Sequence, residues 1–395
     1  MNWQSLLDPD IQKFINGHEG GDVTALALKK PPNPDWDYRL ILDQIKTRQK
    51  ARTKLPLWPD HHPDIIFPPS DILEQASSAA TARYKARLVK GKSFVDLTGG
   101  AGVDSCALTE HYESGTIIER DEHAAELIAH NLPLLYLSGV DLDVICTTAE
   151  EFVKAMPSVD LVIIDPQRRD GQQKGKFRLE NTAPNVLELL PVLLNKTTHI
   201  MIKTSPMLDI AQTVADLQHV QAVHVVEYRK DCKELLFIIS KNVPNTPQIT
   251  AVSIDDAGEV LSNLNFTLEE EKKTKAALSM PLNYLYEPGP AFQKSGGFHV
   301  ISDYFGVEKL QQHTHLYTSE TLRTDFPGRS FEIIGKHPAK AEKVPLKQAH
   351  ITTRNFPMST AALRKKLKIR DGGDDYLFAC TLMDGSKALL HGRKT

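Results

Sequence analysis

Between Phe94 and Ser240 the chain alternates short apolar runs, FVDL, TIIER, DVIC, VDLVIID, HIMIKT, VHVVEY and ELLFIIS, with segments of helical spacing. Runs so apolar, with little alternation between neighbours, suit strands buried on both faces, as in a parallel sheet covered by helices. Only RKDCK joins the last two runs, too few residues for a parallel crossover, so these two form an antiparallel hairpin. The expectation is an α/β fold with six or seven strands, mostly parallel, and a reversed last strand.

At 395 residues the chain exceeds one ordinary core, so two or three domains are expected. The first 90 residues read as mostly helical. DYRLILDQIKTRQKART places Leu40, Ile41 and Ile45 at helical spacing and ends in basic residues, which suits a helix C-terminus. KLPLWPDHHPDIIFPPS holds five prolines and cannot be regular helix. Asp71, with Glu74 three residues on, then reads as the capped start of one helix, ILEQASSAATARYKARLV, running into FVDL. After KNVPNTPQ the pattern turns to weak alternation and a charged helix, LEEEKKTKAA. FPGRSFEII opens a last unit with a capped basic helix, a Gly-Gly turn and a hairpin turning at Asp384 and Gly385. The expected division is residues 1–90, mostly helical; 91–243, the parallel sheet; 244–323, a small α+β region; and 324–395, a final small α+β unit.

Composition narrows the function classes. With 41% hydrophobic and 25% charged residues, and no apolar run near the roughly 20 residues of a membrane span, a soluble protein is expected. MNWQSLLDPD lacks the features of a secretion signal, which points to the cytoplasm. Cys106, Cys146, Cys232 and Cys380 form no CxxC pair and read as buried thiols. His61 and His62, and His313 and His315, lack metal-site spacing, so no metal is expected. The net charge of -3 conceals an asymmetry: residues 291–395 hold 17 Lys+Arg against 10 Asp+Glu, which is +7 and leaves -10 for the rest. A basic C-terminal third favours an anionic partner.

FVDLTGGAGVD carries Gly99, Gly100 and Gly102 directly after an apolar strand. In an open α/β sheet that loop is the usual ligand floor, and missing Cβ atoms let a ligand reach the backbone. The next strand ends in Glu119, 20 residues after Gly99, where an acid can accept both hydroxyls of a ribose. The order GGAG departs from GxGxxG, and Asp96 and Asp104 would repel a pyrophosphate. A cationic nucleoside with an amino-acid tail fits better than a dinucleotide.

VDLTGGAGVDS followed by IIERDEHA, IIDP at the fourth strand and a terminal hairpin resembles the class I S-adenosylmethionine-dependent methyltransferases. The resemblance implies a Rossmann-like seven-stranded sheet with an antiparallel last strand, and S-adenosyl-L-methionine as cofactor. Its cofactor contacts would fall on Asp96, Thr98, Gly99, Gly100, Gly102, Asp104, Glu119 and Arg120, with Thr148, Ala149 and Glu150 beside the adenine. Many relatives carry an Asp where Thr148 stands.

Asp165 and Pro166 end the fourth strand, where the resemblance implies that donor and acceptor meet. Amino-methylating members of the family carry [DN]PP[YFW], whose aromatic ring stacks a flipped base. Here the chain reads DPQRRDG, so the stacking platform is missing or supplied elsewhere. Asp165 can orient an amine, and Arg168 and Arg169 offer guanidinium groups to a phosphate or base edge, followed by a basic loop, GQQKGKFR. QASSAATARYK, with Ser77 and Lys85, lines the cofactor mouth or packs closely; Lys203 faces substrate or is the solvated end of its strand. Basic and aromatic residues around Arg354, Arg364 and Lys365 suit RNA. These C-terminal strings, with DPQRRD and CKELL, resemble a bacterial methyltransferase family with a ferredoxin-like segment and a THUMP-like domain, which implies tRNA or rRNA as substrate. The reaction expected is methylation of an RNA base nitrogen. The alternatives are a small-molecule or protein acceptor, or an RNA-binding protein that keeps the fold without catalysis.

Overall fold

The computed structural model describes residues 3–58, 62–135, 139–168, 179–241, 243, 246–338 and 344–395. It divides into two units, one of Met1–Gln221, Leu235–Val243 and Ile254–Glu259, the other of Ala222–Glu234, Pro244–Ser253 and Val260–Thr395.

The apolar runs form β1 (Ser93–Asp96), β2 (Ser114–Glu119), β3 (Asp141–Cys146), β4 (Val159–Ile164), β7 (Thr197–Thr204), β8 (Val220–Tyr228) and β9 (Asp231–Ile239). Two short strands, β5 (Gln167–Arg168) and β6 (Thr182–Ala183), pair with each other after β4. The seven longer strands run in the order β8-β9-β7-β4-β1-β2-β3. β1 is parallel to β2 and β4, β2 to β3 and β4 to β7, while β9 is antiparallel to β7. From β1 the chain builds outward to β3 and returns to β4 on the other side. The order therefore switches between β1 and β4, and the crevice beyond their carboxyl ends is where such sheets take ligands.

Val95, Ile117, Val162, Ile200 and Ile202 are fully buried, each contributing about 1.5–3 kcal/mol by leaving water. β3 departs from that reading. As the edge strand it leaves Ile145 39% exposed and Cys146 exposed, so this thiol is not buried as expected.

The N-terminal helices Pro9–His18, Val23–Ala27 and Tyr38–Lys54 each start behind an aspartate, Asp8, Asp22 and Asp37, whose carboxylate accepts from first-turn N–H groups. Trp3, Leu6, Ile11, Ile15, Ile41, Ile45 and Ile66 share an apolar cluster with Leu127 of the helix Glu122–Leu135. Asn131 on that helix accepts from Ile66 N at 3.0 Å and donates to Ile66 O at 2.7 Å. These helices are thus packed on the cover of the sheet.

The single helix expected from Asp71 is two, Ser70–Gln75 and Ala79–Ala86. The first has no side-chain cap, and Glu74 pairs with Lys50 instead of capping it. The second starts with a capping box between Ser78 and Thr81, and that competing start breaks the run.

β10 (Gln248–Ile254) and β11 (Val260–Thr267) continue the first sheet beyond β8, giving nine strands in the order β11-β10-β8-β9-β7-β4-β1-β2-β3, and the second unit holds a seven-stranded sheet of β12 (Tyr284–Pro288), β13 (Glu308–Gln311), β14 (Thr314–Ser319), β15 (Gly328–Pro338), β16 (His350–Arg354), β17 (Asp375–Thr381) and β18 (Lys387–Lys394). Its order is β13-β14-β12-β15-β18-β17-β16, so β12, β13 and β14 from the expected 244–323 region share one sheet with the last unit, while β10 and β11 do not, and this sheet lies over a core of Leu285, Leu310, Leu316, Phe331, Phe378 and Leu390. Among the described residues no helix is long and apolar enough to cross a membrane.

Candidate active site

The loop after β1 is shaped by glycine for two different reasons. Gly100 and Gly102 sit at φ +57° and +73°, the left-handed region where a side chain is strained. Gly99 is instead a packing residue: a Cβ there would lie 2.9 Å from Ile117 Cγ2 and 2.9 Å from Ile128 Cδ1. The expectation that all three glycines open the backbone to a ligand is corrected at Gly99. Open space lies at Gly100, where an added Cβ would meet nothing nearer than 3.7 Å.

Three aspartates converge on this loop. Asp96, at the end of β1, is buried and accepts from Ser105 Oγ at 2.5 Å and Thr98 N at 2.9 Å. Burial pushes its carboxyl up to about 6 against those hydrogen bonds. Asp104, in the first turn of the helix Val103–Leu108, accepts from Ser77 Oγ at 2.8 Å. Lys85 Nζ lies 3.2 Å and Lys203 Nζ 3.6 Å from its oxygens. Burial raises this carboxyl, and the two ammonium groups, Lys85 then Lys203, outweigh burial and hold it below the ordinary value. Asp165 follows β4; its N–H donates to Thr98 Oγ1 at 2.8 Å, its side chain is 39% exposed, and its carboxylate is ion-paired with Lys203 Nζ.

Ser77 ties these groups together. Its Oγ accepts from Lys85 Nζ at 3.0 Å and Lys203 Nζ at 3.2 Å while it donates to Asp104. A hydroxyl offers one donor and two lone pairs, so its capacity is used in full. The ammonium groups are buried at 1% and 10% side-chain exposure, a placement tolerated only with carboxylates and hydrogen-bond acceptors at hand.

Glu119, at the end of β2, accepts from Gly100 N at 2.8 Å and from Asp121 N at 2.9 Å, which fixes its carboxylate beside the loop. Thr147 N donates to Glu119 O at 3.1 Å, bringing the next loop alongside. There Thr148 caps the helix Ala149–Ala155, with Ala149 buried and Glu150 exposed; Arg120 is exposed too. Around the glycine loop stand four carboxylates, Asp96, Asp104, Asp165 and Glu119, and two ammonium groups, Lys85 and Lys203, which pair with Asp104 and Asp165. The acid excess and the opening at Gly100 fit a cationic ligand with a ribose.

Other expected residues stand differently. Lys203 is not a solvated strand end, since it is buried in the ion pair. Pro166 is buried, and Arg168 belongs to β5, whose partner is β6. Arg169 and GQQKGKFR lie outside the described residues. Arg354 is spent inside the second unit: Arg354 Nη2 and Arg329 Nε donate at 2.9 Å and 2.8 Å to the two oxygens of the buried Glu287. Arg364 Nη2 lies 2.8 Å from Asp371 Oδ1, while Lys365 is exposed on the helix Thr360–Leu367. Lys85 and Ser77 were legible only as polar residues on a helix of small ones; their joint hold on Asp104 and Lys203 is a tertiary fact. Among the described residues no group of His, Cys, Asp and Glu is placed to hold a metal ion.

The chain resembles known proteins along most of its length. A family model for a ferredoxin-like domain matches residues 284–327, and one described as THUMP domain-like matches residues 328–394. An uncharacterised S-adenosylmethionine-dependent methyltransferase of Mycobacterium tuberculosis (strain H37Rv) is 22% identical over 309 residues, 76% of this chain and 80% of its own. The crystal structure of a protein of Porphyromonas gingivalis W83, provisionally described as a methyltransferase, matches at TM-score 0.86 and 33% identity over 98% of both chains. With the sheet order, the glycine loop and this likeness over nearly the whole chain, the protein belongs to the family of S-adenosylmethionine-dependent methyltransferases that carry ferredoxin-like and THUMP-like segments.

Proposed function

We propose that this enzyme methylates RNA, tRNA or rRNA, at a site formed by Asp165 and Lys203. The observation that carries the reading is the THUMP domain-like match at residues 328–394, within a C-terminal third whose net charge is +7. Exposed Lys365, Lys366, Lys368 and Arg370 supply phosphate contacts. Arg354 and Arg364 contribute less, because Glu287 and Asp371 already engage them.

S-adenosylmethionine supplies a methyl group on a sulfonium. Glu119 has lone pairs left for ribose hydroxyls after Gly100 N and Asp121 N are satisfied. Gly100 and Thr98 receive the amino-acid end, with the carboxylates of Asp96 and Asp104 behind them, while Arg120 and the Thr148–Glu150 turn flank the adenine. Asp165 faces the acceptor, held by Thr98 Oγ1 on its backbone and Lys203 on its carboxylate. Alignment of a nucleophile with the methyl group is the larger part of such catalysis.

The test is tritium transfer from labelled S-adenosylmethionine into tRNA and rRNA from cells lacking this protein. Wild type labels RNA; Asp165→Ala loses transfer while calorimetry still finds donor binding. Unchanged turnover in Asp165→Ala removes this residue from the mechanism.

A further inference from the structure

We infer that an open cavity between the helix Pro9–His18 and the proline-rich segment KKPPNPDW takes one nucleotide of the RNA, its base stacked on Trp36 and its phosphate on Lys13. This rests on the RNA reading of the methyl-transfer site and adds a second point of contact with the same substrate. The cavity holds about 430 Å³, within the range of small-ligand sites. Asp10, Lys13 and Phe14 line it from one face of the helix, being three and four residues apart, and Pro32, Asn33 and Trp36 line it from the other side.

The walls are set by the chain itself. Pro31, Pro32 and Pro34 fix their own φ, Asp35 N donates to Asn33 Oδ1 at 3.0 Å, and Trp36 N donates to Asn33 O at 3.2 Å. Phe14 packs against His18 with ring centroids 4.2 Å apart and meets Trp36 edge to face, at 5.5 Å and 67°. Among the described residues Trp36 meets no other ring, so its indole is not already stacked. The other two tryptophans, Trp3 and Trp58, are 9% and 7% exposed, whereas Trp36 is half-buried at the cavity. An indole left at an open cavity is a platform for a flat ligand.

Charge selects the occupant. The cavity offers one carboxylate, Asp10, and one ammonium, Lys13, both exposed, and Lys13 has no ion pair among the described residues. A quaternary ammonium, a usual guest of aromatic walls, would pair with Asp10 and be repelled by Lys13. A nucleotide complements both: its phosphate meets Lys13, with exposed Lys29 and Lys30 on the same segment as Trp36, and an amino group on the base donates to Asp10 or to the amide oxygen of Asn33. Unstacked bases of RNA are held in this manner, by an aromatic face and by hydrogen bonds to the base edge.

Intrinsic fluorescence of the full chain tests this, because a base stacked on an indole quenches its emission and the other two tryptophans are buried. Titration with tRNA and with rRNA, and separately with the nucleoside 5′-monophosphates, should show quenching by RNA in the wild type and none in Trp36→Phe. By filter binding, Trp36→Ala should weaken RNA affinity about 5-fold or more, and Trp36→Phe, which keeps a ring, should retain most of it. Lys13→Glu should weaken RNA binding and lower its salt slope by about 1. Calorimetry should find S-adenosylmethionine binding unchanged in all three. Lys13 is exposed, so Lys13→Glu keeps the test valid even where Trp36→Ala folds poorly. RNA affinity that neither Trp36→Ala nor Lys13→Glu weakens overturns the proposal and leaves RNA methylation standing; quenching by a monophosphate alongside that result assigns the cavity to a free nucleotide instead. A wild type that neither binds nor labels RNA overturns both readings.

Discussion

Asp96 is the residue whose surroundings most alter its chemistry at the glycine loop. Its carboxyl titrates at about 6 in the folded protein against an ordinary value of 3.8. Because the folded value is the higher one, the folded state holds a proton in that window that the unfolded chain has lost. This group's contribution is therefore most favourable below about pH 4 and falls away as pH rises towards about 6. The loss is on the order of 3 kcal/mol. Asp96→Asn removes the charge and keeps one oxygen for Thr98 N while its amide N–H2 can donate to Ser105 Oγ, so it should be more stable relative to wild type at pH 7 than at pH 4. Melting curves of both across that range check it, and a constant difference between them would show that Asp96 does not titrate there.

At the scale of elements, the break between Ser70–Gln75 and Ala79–Ala86 places Ser77 at the site, and the capping box of Ser78 holds the second helix in place. Ser78→Ala should cost about 1 kcal/mol and lower the melting temperature by about 2–4 °C, with Ser78→Asp restoring most of it; no change in Ser78→Ala would mean that packing alone sets the helix start. The strands are legible in the sequence because burial on both faces writes continuous apolar runs; β3, exposed at the edge, carries the weakest run and the most exposed side chains. The helix break is not legible, because ASSAA suits a helix interior until Ser77 is seen to turn inward. The glycine loop, Glu119 and Asp165 are legible from spacing along one segment. The lysine network is not: Lys85, Asp104, Asp165 and Lys203 come from four elements that only the sheet order brings together.

Over the whole molecule, charge is divided: -10 on the first 290 residues and +7 on the last 105. If phosphate contacts carry RNA affinity, raising potassium chloride from 50 to 200 mM should weaken RNA binding about 10-fold or more and leave donor binding nearly unchanged. Filter binding and calorimetry at the two salt concentrations measure this, and a salt-independent RNA affinity would remove the basic C-terminal third from recognition. The contacts of the N-terminal segment bear on something else, the units in which such a chain can be inherited. A splice just before β1 would preserve every loop glycine and every site aspartate, and would still discard Ser77, Lys85 and the helices packed on Leu127. The motif-bearing segment is therefore not the smallest transferable gene fragment. Recombination can exchange what precedes β1 only by carrying Ser77 and the helix Ala79–Ala86 along with the sheet, or by evolving a new partner for Asp104 and Lys203.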